Sequence, residues 1–327
     1  MAPGWTIERV LGSAAIAALA VVLVSGAVVA LGYRPSSEPI GGRVYVAATA
    51  VLDNENDTLL RAGERIVLDS VPSHRGSLLP VGDTSTTWSS ALVSHVLLLL
   101  TPSGAALATI HNVSATIFVA AVAVLCTLTV ARGYRWRSRD TLFVLLLVCA
   151  MVASWLGTTL PADPRAMEAY GVGRSFLADN LPFIGDVVGA VLPARFDAAR
   201  VFLLHAVWVP PVLLGLLWSY YRAVSDRPSV IAVAVGSIAI VGVGVACTLV
   251  MTPVVVHGSG RPLWHLGVPY GLLHWLPMDA TMLTIVAWWA VVLVCGTSTR
   301  RSIRSLGASL IAVWFVGGAI VTIVSKG

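Results

Sequence analysis

Apolar residues fill seven long stretches of the chain, at 11 to 32, 110 to 131, 141 to 160, 201 to 221, 229 to 252, 278 to 296 and 306 to 325, and polar residues gather in the connections between them. Each stretch holds about the 20 residues that an α-helix needs to cross ~30 Å of hydrocarbon. The pattern therefore predicts seven transmembrane helices. The run from Ser90 to Leu100 is too short to cross and stops at Pro102 and Gly104, so it reads as a helix lying in the interface. The first stretch follows Arg9 and contains small residues, as a signal peptide would. It is longer than an apolar signal core of about 7 to 15 residues, and is read as a retained helix.

The connections are not uniform. Arg43 to Asp53 alternates as a strand does, and Asn54 to Ser70 reads as a turn followed by a second strand. This predicts a small β element between the first two spans. Two readings of it stay open: a docking surface for a soluble partner, or a solvated loop. The apolar stretch Asn180 to Phe196 reads as a short helix on the membrane surface.

Composition agrees with the pattern. The 327 residues are 57% hydrophobic and 11% charged, with a mean hydropathy of +0.86, far from soluble usage. The net charge of +5 comes mostly from arginines at span ends: Arg132, Arg135, Arg137 and Arg139; Arg222 and Arg227; Arg300, Arg301 and Arg304. All three clusters fall on one side, which the positive-inside rule makes cytoplasmic. The N-terminus is then inside, the C-terminus outside, and the long connections 33 to 109, 161 to 200 and 253 to 277 face the periplasm or exterior of a bacterial inner membrane. A charge so distributed is not a nucleic-acid surface. Cys126, Cys149, Cys247 and Cys295 lie within spans, as packed small hydrophobes do. Without CxxCH or CxxC, covalent haem, zinc and iron–sulfur sites have no support. The span interiors hold no Asp or Glu for a proton path.

Two histidines carry the candidate chemistry. His111 begins the outer end of the second span and His205 lies about one turn into the outer end of the fourth. Both helices run inward from the same face, so the imidazoles share a depth, which suits one iron between them. Arg200, five residues before His205 at the membrane edge, suits a haem propionate.

Several stretches resemble the cytochrome b family of bc-type complexes. Arg200-Val201-Phe202-Leu203-Leu204-His205, followed by Pro210, is similar to that family's fourth-helix motif around its outer haem ligand. Gly157 to Pro161 looks like its third-helix terminus, Leu181 to Asp186 like the surface helix that follows, and Val24 to Pro35 like its first-helix exit. His111 with Ala115 matches the start of its second helix. The resemblance covers 10 to 32 and 105 to 221 and thins out beyond. It implies an all-α polytopic membrane protein with a four-helix haem bundle, divided as a first transmembrane helix (1–32), an extracytoplasmic insert with interfacial helix (33–109), haem-binding helices (110–221) and C-terminal transmembrane helices (222–327).

Two departures limit what the resemblance implies. The family carries a second histidine fourteen residues after each of these, about 21 Å along the helix; here Leu125 and Ser219 stand there, with Thr129 one turn on. The family's quinol-oxidation motif of proline, glutamate, tryptophan and tyrosine has no counterpart, the nearest stretch being Val268 to Trp275. The implied protein is a mono-haem cytochrome b-like subunit of a hetero-oligomeric redox complex, with one haem b on His111 and His205 and Arg200 on a propionate. It would exchange electrons between a periplasmic iron–sulfur or c-type cytochrome subunit and membrane quinone, as an electron-transfer subunit rather than a stand-alone enzyme. The alternatives are a degenerate cytochrome b serving as a structural anchor, and a transporter or sensor with incidental histidines. The spans lack the interrupted repeats of many transporters.

Overall fold

The structure is a computed structural model. It describes residues 7–37, 44–52, 58–68, 70–72, 78–80, 89–132, 138–162, 164–178, 185–223, 229–250, 254–255, 268, 271–272 and 275–324.

Long apolar runs become helices because a chain in hydrocarbon must satisfy every backbone polar group within the segment. The spans are α1 (Ile7–Gly32), α3 (Pro102–Arg132), α4 (Ser138–Thr159), α7 (Ala198–Phe202 continuing through Leu203–Trp208 to Val209–Ala223), α8 (Val230–Val250), α9 (Met278–Thr297) and α10 (Arg301–Val324). Six of these are long and apolar enough to cross a membrane, and α9 contributes a shorter apolar helix, Leu283–Thr297. The chain is a multi-pass membrane protein.

Outside the spans, α2 (Ser90–Leu100) is capped by the Ser89 hydroxyl, which accepts from the Leu92 N–H at 3.2 Å. Thr101 then ends α2, and Pro102 opens α3 at the position where a missing N–H costs nothing. The second span thus begins well before the apolar run that announces it, and His111 lies more than two turns inside α3. Two short helices follow α4: α5 (Pro164–Ala178), which the hydrophobic pattern does not reveal, and α6 (Gly185–Val191), within the stretch read as a surface helix.

The insert after α1 contains the two expected strands, β1 (Val44–Leu52) and β2 (Thr58–Leu68), paired antiparallel with a bulge between Ala47 and Ala48. A smaller pair, β3 (Ser70–Pro72) and β4 (Leu78–Pro80), follows. Strand β5 (Val254–Val255), from the connection after α8, pairs with Leu59 and Leu60 of β2.

Four helices close a ring: α1 packs on α3, α3 on α4, α4 on α7, and α7 returns to α1 through its Leu203–Trp208 turn. α3 and α7 are therefore diagonal. α8 packs outside α1 and α3, and the α9–α10 pair lies against α3. Small residues allow this closeness where lipid gives helices no hydrophobic drive to associate. Ala15, Ala17 and Ala18 of α1 are wholly buried, and a Cβ on Gly244 of α8 would meet the Ile110 side chain at 2.7 Å.

The arginine-rich ends come together at one end of the bundle. Arg132 pairs with Glu8, and Arg304 Nε donates to the Ala131 carbonyl at 3.4 Å. At the other end the Tyr33 hydroxyl donates to the Leu160 carbonyl and its ring stacks on Phe202 at 5.4 Å. Burial holds the Tyr33 phenol well above its ordinary pKa, so it stays a neutral donor.

Candidate haem site

His111 of α3 and His205 of α7 face each other across the diagonal of the four-helix ring, with ring centroids 6.2 Å apart and planes inclined at 74°. A metal ion held by one nitrogen of each ring, at about 2 Å, would need two imidazoles brought together across the bundle as these are. His111 and His205 would be the residues that hold such an ion.

Each ring is held by the helix preceding its own in the ring. His111 Nδ1 lies 3.1 Å from the Val22 carbonyl on α1, and His205 Nδ1 lies 3.0 Å from the Ala153 carbonyl on α4. A carbonyl only accepts, so Nδ1 carries the proton in both imidazoles and donates it. Nε2 is left with its lone pair, which is the tautomer a metal needs. Four residues after each carbonyl comes a glycine. A Cβ at Gly26 would approach His111 Cε1 to 2.8 Å, and a Cβ at Gly157 would approach His205 Cε1 to 2.9 Å. A carbonyl that orients and, one turn on, a glycine that makes room recur on both sides. The donors, their tautomer and the clearance around them all fit a bis-imidazole haem.

His205 sits in a π-helical turn, Leu203–Trp208, where the Val209 N–H bonds the Leu204 carbonyl five residues back. Pro210 and Pro211 explain its position. Neither ring nitrogen can donate to the carbonyls of Ala206 and Val207, and the ring of each crowds that carbonyl in a regular α-helix. The wider turn relieves that crowding, and such turns are frequent at functional sites.

The extra residue in the turn shifts the register of everything below it. Counting fourteen residues from His205 on a regular helix reaches Ser219, but Ser219 is exposed and bonds its own helix at Gly215. Tyr220, fifteen on, is the inward residue, 2% exposed, its ring 4.7 Å from Phe143 of α4. Leu125 of α3, 1% exposed, joins the same core with Leu146 and Leu217. The half of the bundle away from the two histidines is packed with side chains where a second cofactor would need space. Thr129 is also buried, its hydroxyl bonded to the Leu125 carbonyl.

Arg200 lies on the first turn of α7, one and a half turns before His205. Its Nε pairs with Asp197 at 3.4 Å and its Nη1 donates to the Ala190 carbonyl of α6 at 3.3 Å, with the side chain 54% exposed. Asp197 also caps α7, accepting from the Ala199 and Arg200 N–H groups. Nearby, Arg174 Nε donates to the Leu192 carbonyl and the Tyr170 hydroxyl to the Pro193 carbonyl, so α5, α6 and α7 form one platform at the histidine end. Of the other histidines, His95 lies on α2, whereas His74, His257, His265 and His274 fall outside the described residues. All four cysteines are unpaired thiols within helices. Among the described residues no group of three or more His, Cys, Asp or Glu side chains could hold a metal ion.

The orienting carbonyls and the two glycines escaped the sequence reading. Each lies on a different helix from its histidine; the stretches Val24 to Pro35 and Gly157 to Pro161 contain the two glycines but neither Val22 nor Ala153.

No protein-family model matches the chain, and no curated protein matches it. Among solved structures it is similar to a chain described as "Hyperthermophilic respiratory Complex III", with a TM-score of 0.53 and 15% identity over 100% of this chain and 94% of that one. At that identity the likeness is one of fold, and it extends over the whole of this chain.

Proposed function

We propose that this chain is a cytochrome b-like membrane subunit of a multi-subunit redox complex, holding one b-type haem between His111 and His205 near the outer face. The observation that carries the reading is the pair of imidazoles at 6.2 Å, each with its Nδ1 at hydrogen-bond distance from a backbone carbonyl. A haem so ligated supplies one-electron transfer and has no open coordination position.

The chain's own residues then divide the work. Val22 and Ala153 orient the rings, Gly26 and Gly157 give them clearance, and Arg200 stands at the bundle end where a propionate would emerge. The packed core around Phe143, Tyr220 and Leu125 supports a single site. The likeness in fold to a respiratory Complex III chain supports membership of a redox assembly. Its exchange partners would be a periplasmic iron–sulfur or c-type cytochrome subunit, docking on the β element and the α5–α6 platform, and quinone dissolved in the bilayer.

The experiment is haem quantitation by pyridine haemochrome on the protein purified from its native membrane. One haem b per chain is the expected result. Two per chain would refute the single site, and none would leave a structural anchor built on the same fold.

A further inference from the structure

The two imidazoles are held by matching carbonyls and glycines, but one position breaks the match. The residue before Gly26 is Ser25, and the residue before Gly157 is Leu156. Ser25 is 4% exposed, and its Oγ lies 3.3 Å from His111 Nδ1. Leu156, equally buried, has no polar atom to offer His205.

The direction of the Ser25 hydroxyl follows from its bonds. Its shortest contact is to the Val21 carbonyl at 2.6 Å, with a longer one to Val22 at 3.2 Å. The hydroxyl proton is committed to these carbonyls, above all to Val21. A lone pair of Oγ is then what faces the His111 Nδ1 proton, which already points at the Val22 carbonyl. The Nδ1–H of His111 therefore faces two acceptors, whereas among the described residues that of His205 faces one, the Ala153 carbonyl.

An acceptor on the outer nitrogen of an imidazole makes the inner nitrogen more basic, and second-shell partners of this kind tune bound metals. We infer that Ser25 is a positioning residue that strengthens His111 as an electron donor, making the two imidazoles inequivalent and lowering the reduction potential of the group they bind. The inference rests on the haem reading proposed above. A more basic ligand stabilises the oxidised, more positive iron. Removing the hydroxyl should therefore raise the potential.

The test is an optical redox titration of the purified native complex carrying wild type, Ser25→Ala or Ser25→Thr. A single hydrogen bond of this length should move the reduction equilibrium about two- to tenfold at fixed poise, tenfold being about 59 mV for one electron. Ser25→Ala should shift the midpoint upward, and Ser25→Thr, which keeps the hydroxyl, should restore it. Haem-loaded Ser25→Ala at the wild-type potential overturns the inference while leaving the haem reading intact. An equal upward shift in Ser25→Thr also overturns it, since packing rather than the hydroxyl would be responsible. Wild-type protein without a low-spin haem spectrum removes the reading and the inference together.

Discussion

Gly26 lies so close against His111 that a single added carbon would press to within 2.8 Å of its Cε1. On helix propensity alone, alanine at Gly26 or Gly157 would favour the helix by about 1 kcal/mol. At both positions the imidazole blocks the added methyl, and moving the ring breaks its bond to Val22 or Ala153. Gly26→Ala and Gly157→Ala should each leave far-UV circular dichroism unchanged while reducing haem retention or converting the spectrum from low spin. Full retention of a wild-type spectrum in both would mean that neither glycine shapes the site.

His111→Ala and His205→Ala should each abolish the low-spin bis-histidine spectrum that the proposed site would give, because each helix would supply one imidazole to it. The absorption and electron paramagnetic resonance spectra of the two purified variants check this. Persistence of the signal in both would move the ligands to other histidines, with His95, His257, His265 and His274 the candidates that the span pattern assigns to the outer connections.

Arg200→Leu should retain the haem and lower its midpoint potential. If a haem is held as proposed, a guanidinium near its iron would disfavour the ferric form, which is the more positive, so its removal would favour oxidation. The shift should be small, because Asp197 already pairs with Arg200 at 3.4 Å and both side chains are well exposed, where such charges are screened. Asp197→Asn, which frees the guanidinium, should move the potential the other way. Redox titration of both variants is the measurement, and a shift of the same sign in each would exclude a charge effect.

Electron transfer through this chain alone should stop short of the far side of the bilayer. Leu125 and Tyr220 face inward where a second iron would need imidazoles. In liposomes free of quinone, with an oxidant trapped inside and an impermeant reductant outside, the haem should become reduced while the trapped oxidant persists. Rapid consumption of the oxidant would refute the single-site arrangement.

Tyr33→Phe removes the hydroxyl that donates to the Leu160 carbonyl and keeps the stack on Phe202. The expected cost is about 1 kcal/mol, seen as a lower midpoint in thermal unfolding of the detergent-solubilised protein. An unchanged midpoint would show that water replaces the hydroxyl.

The spans were legible because hydrocarbon imposes a length and a composition that any stretch of twenty residues displays. Ser90–Leu100 emerged as a helix with the predicted bounds, and the alternation near Val44 marked a strand. The pairing of β5 with β2 was not legible, because Val254 and Val255 are two residues with no local pattern of their own. The helical start at Pro102 was hidden by the polar residues Ser103 and Thr109 ahead of the apolar run. Within the site, His111 and His205 stood out as polar residues in apolar surroundings, and the structure brings them together. Ser219 was misplaced for a physical reason: residue counting assumes an unbroken α-helix, and the turn at Leu203–Trp208 breaks that assumption.

That turn also ties two parts of α7 to one peptide unit. If residues 203–208 wound as regular α-helix with none removed, His205 would turn by about 100° around the axis relative to Leu213, Leu217 and Tyr220. Either the imidazole would leave its partner or the three inward side chains would turn toward lipid. The extra residue and the wide turn therefore compensate each other: removing both together should keep His205 and Tyr220 on one face, whereas losing the wide turn alone, or adding a second residue, should separate them.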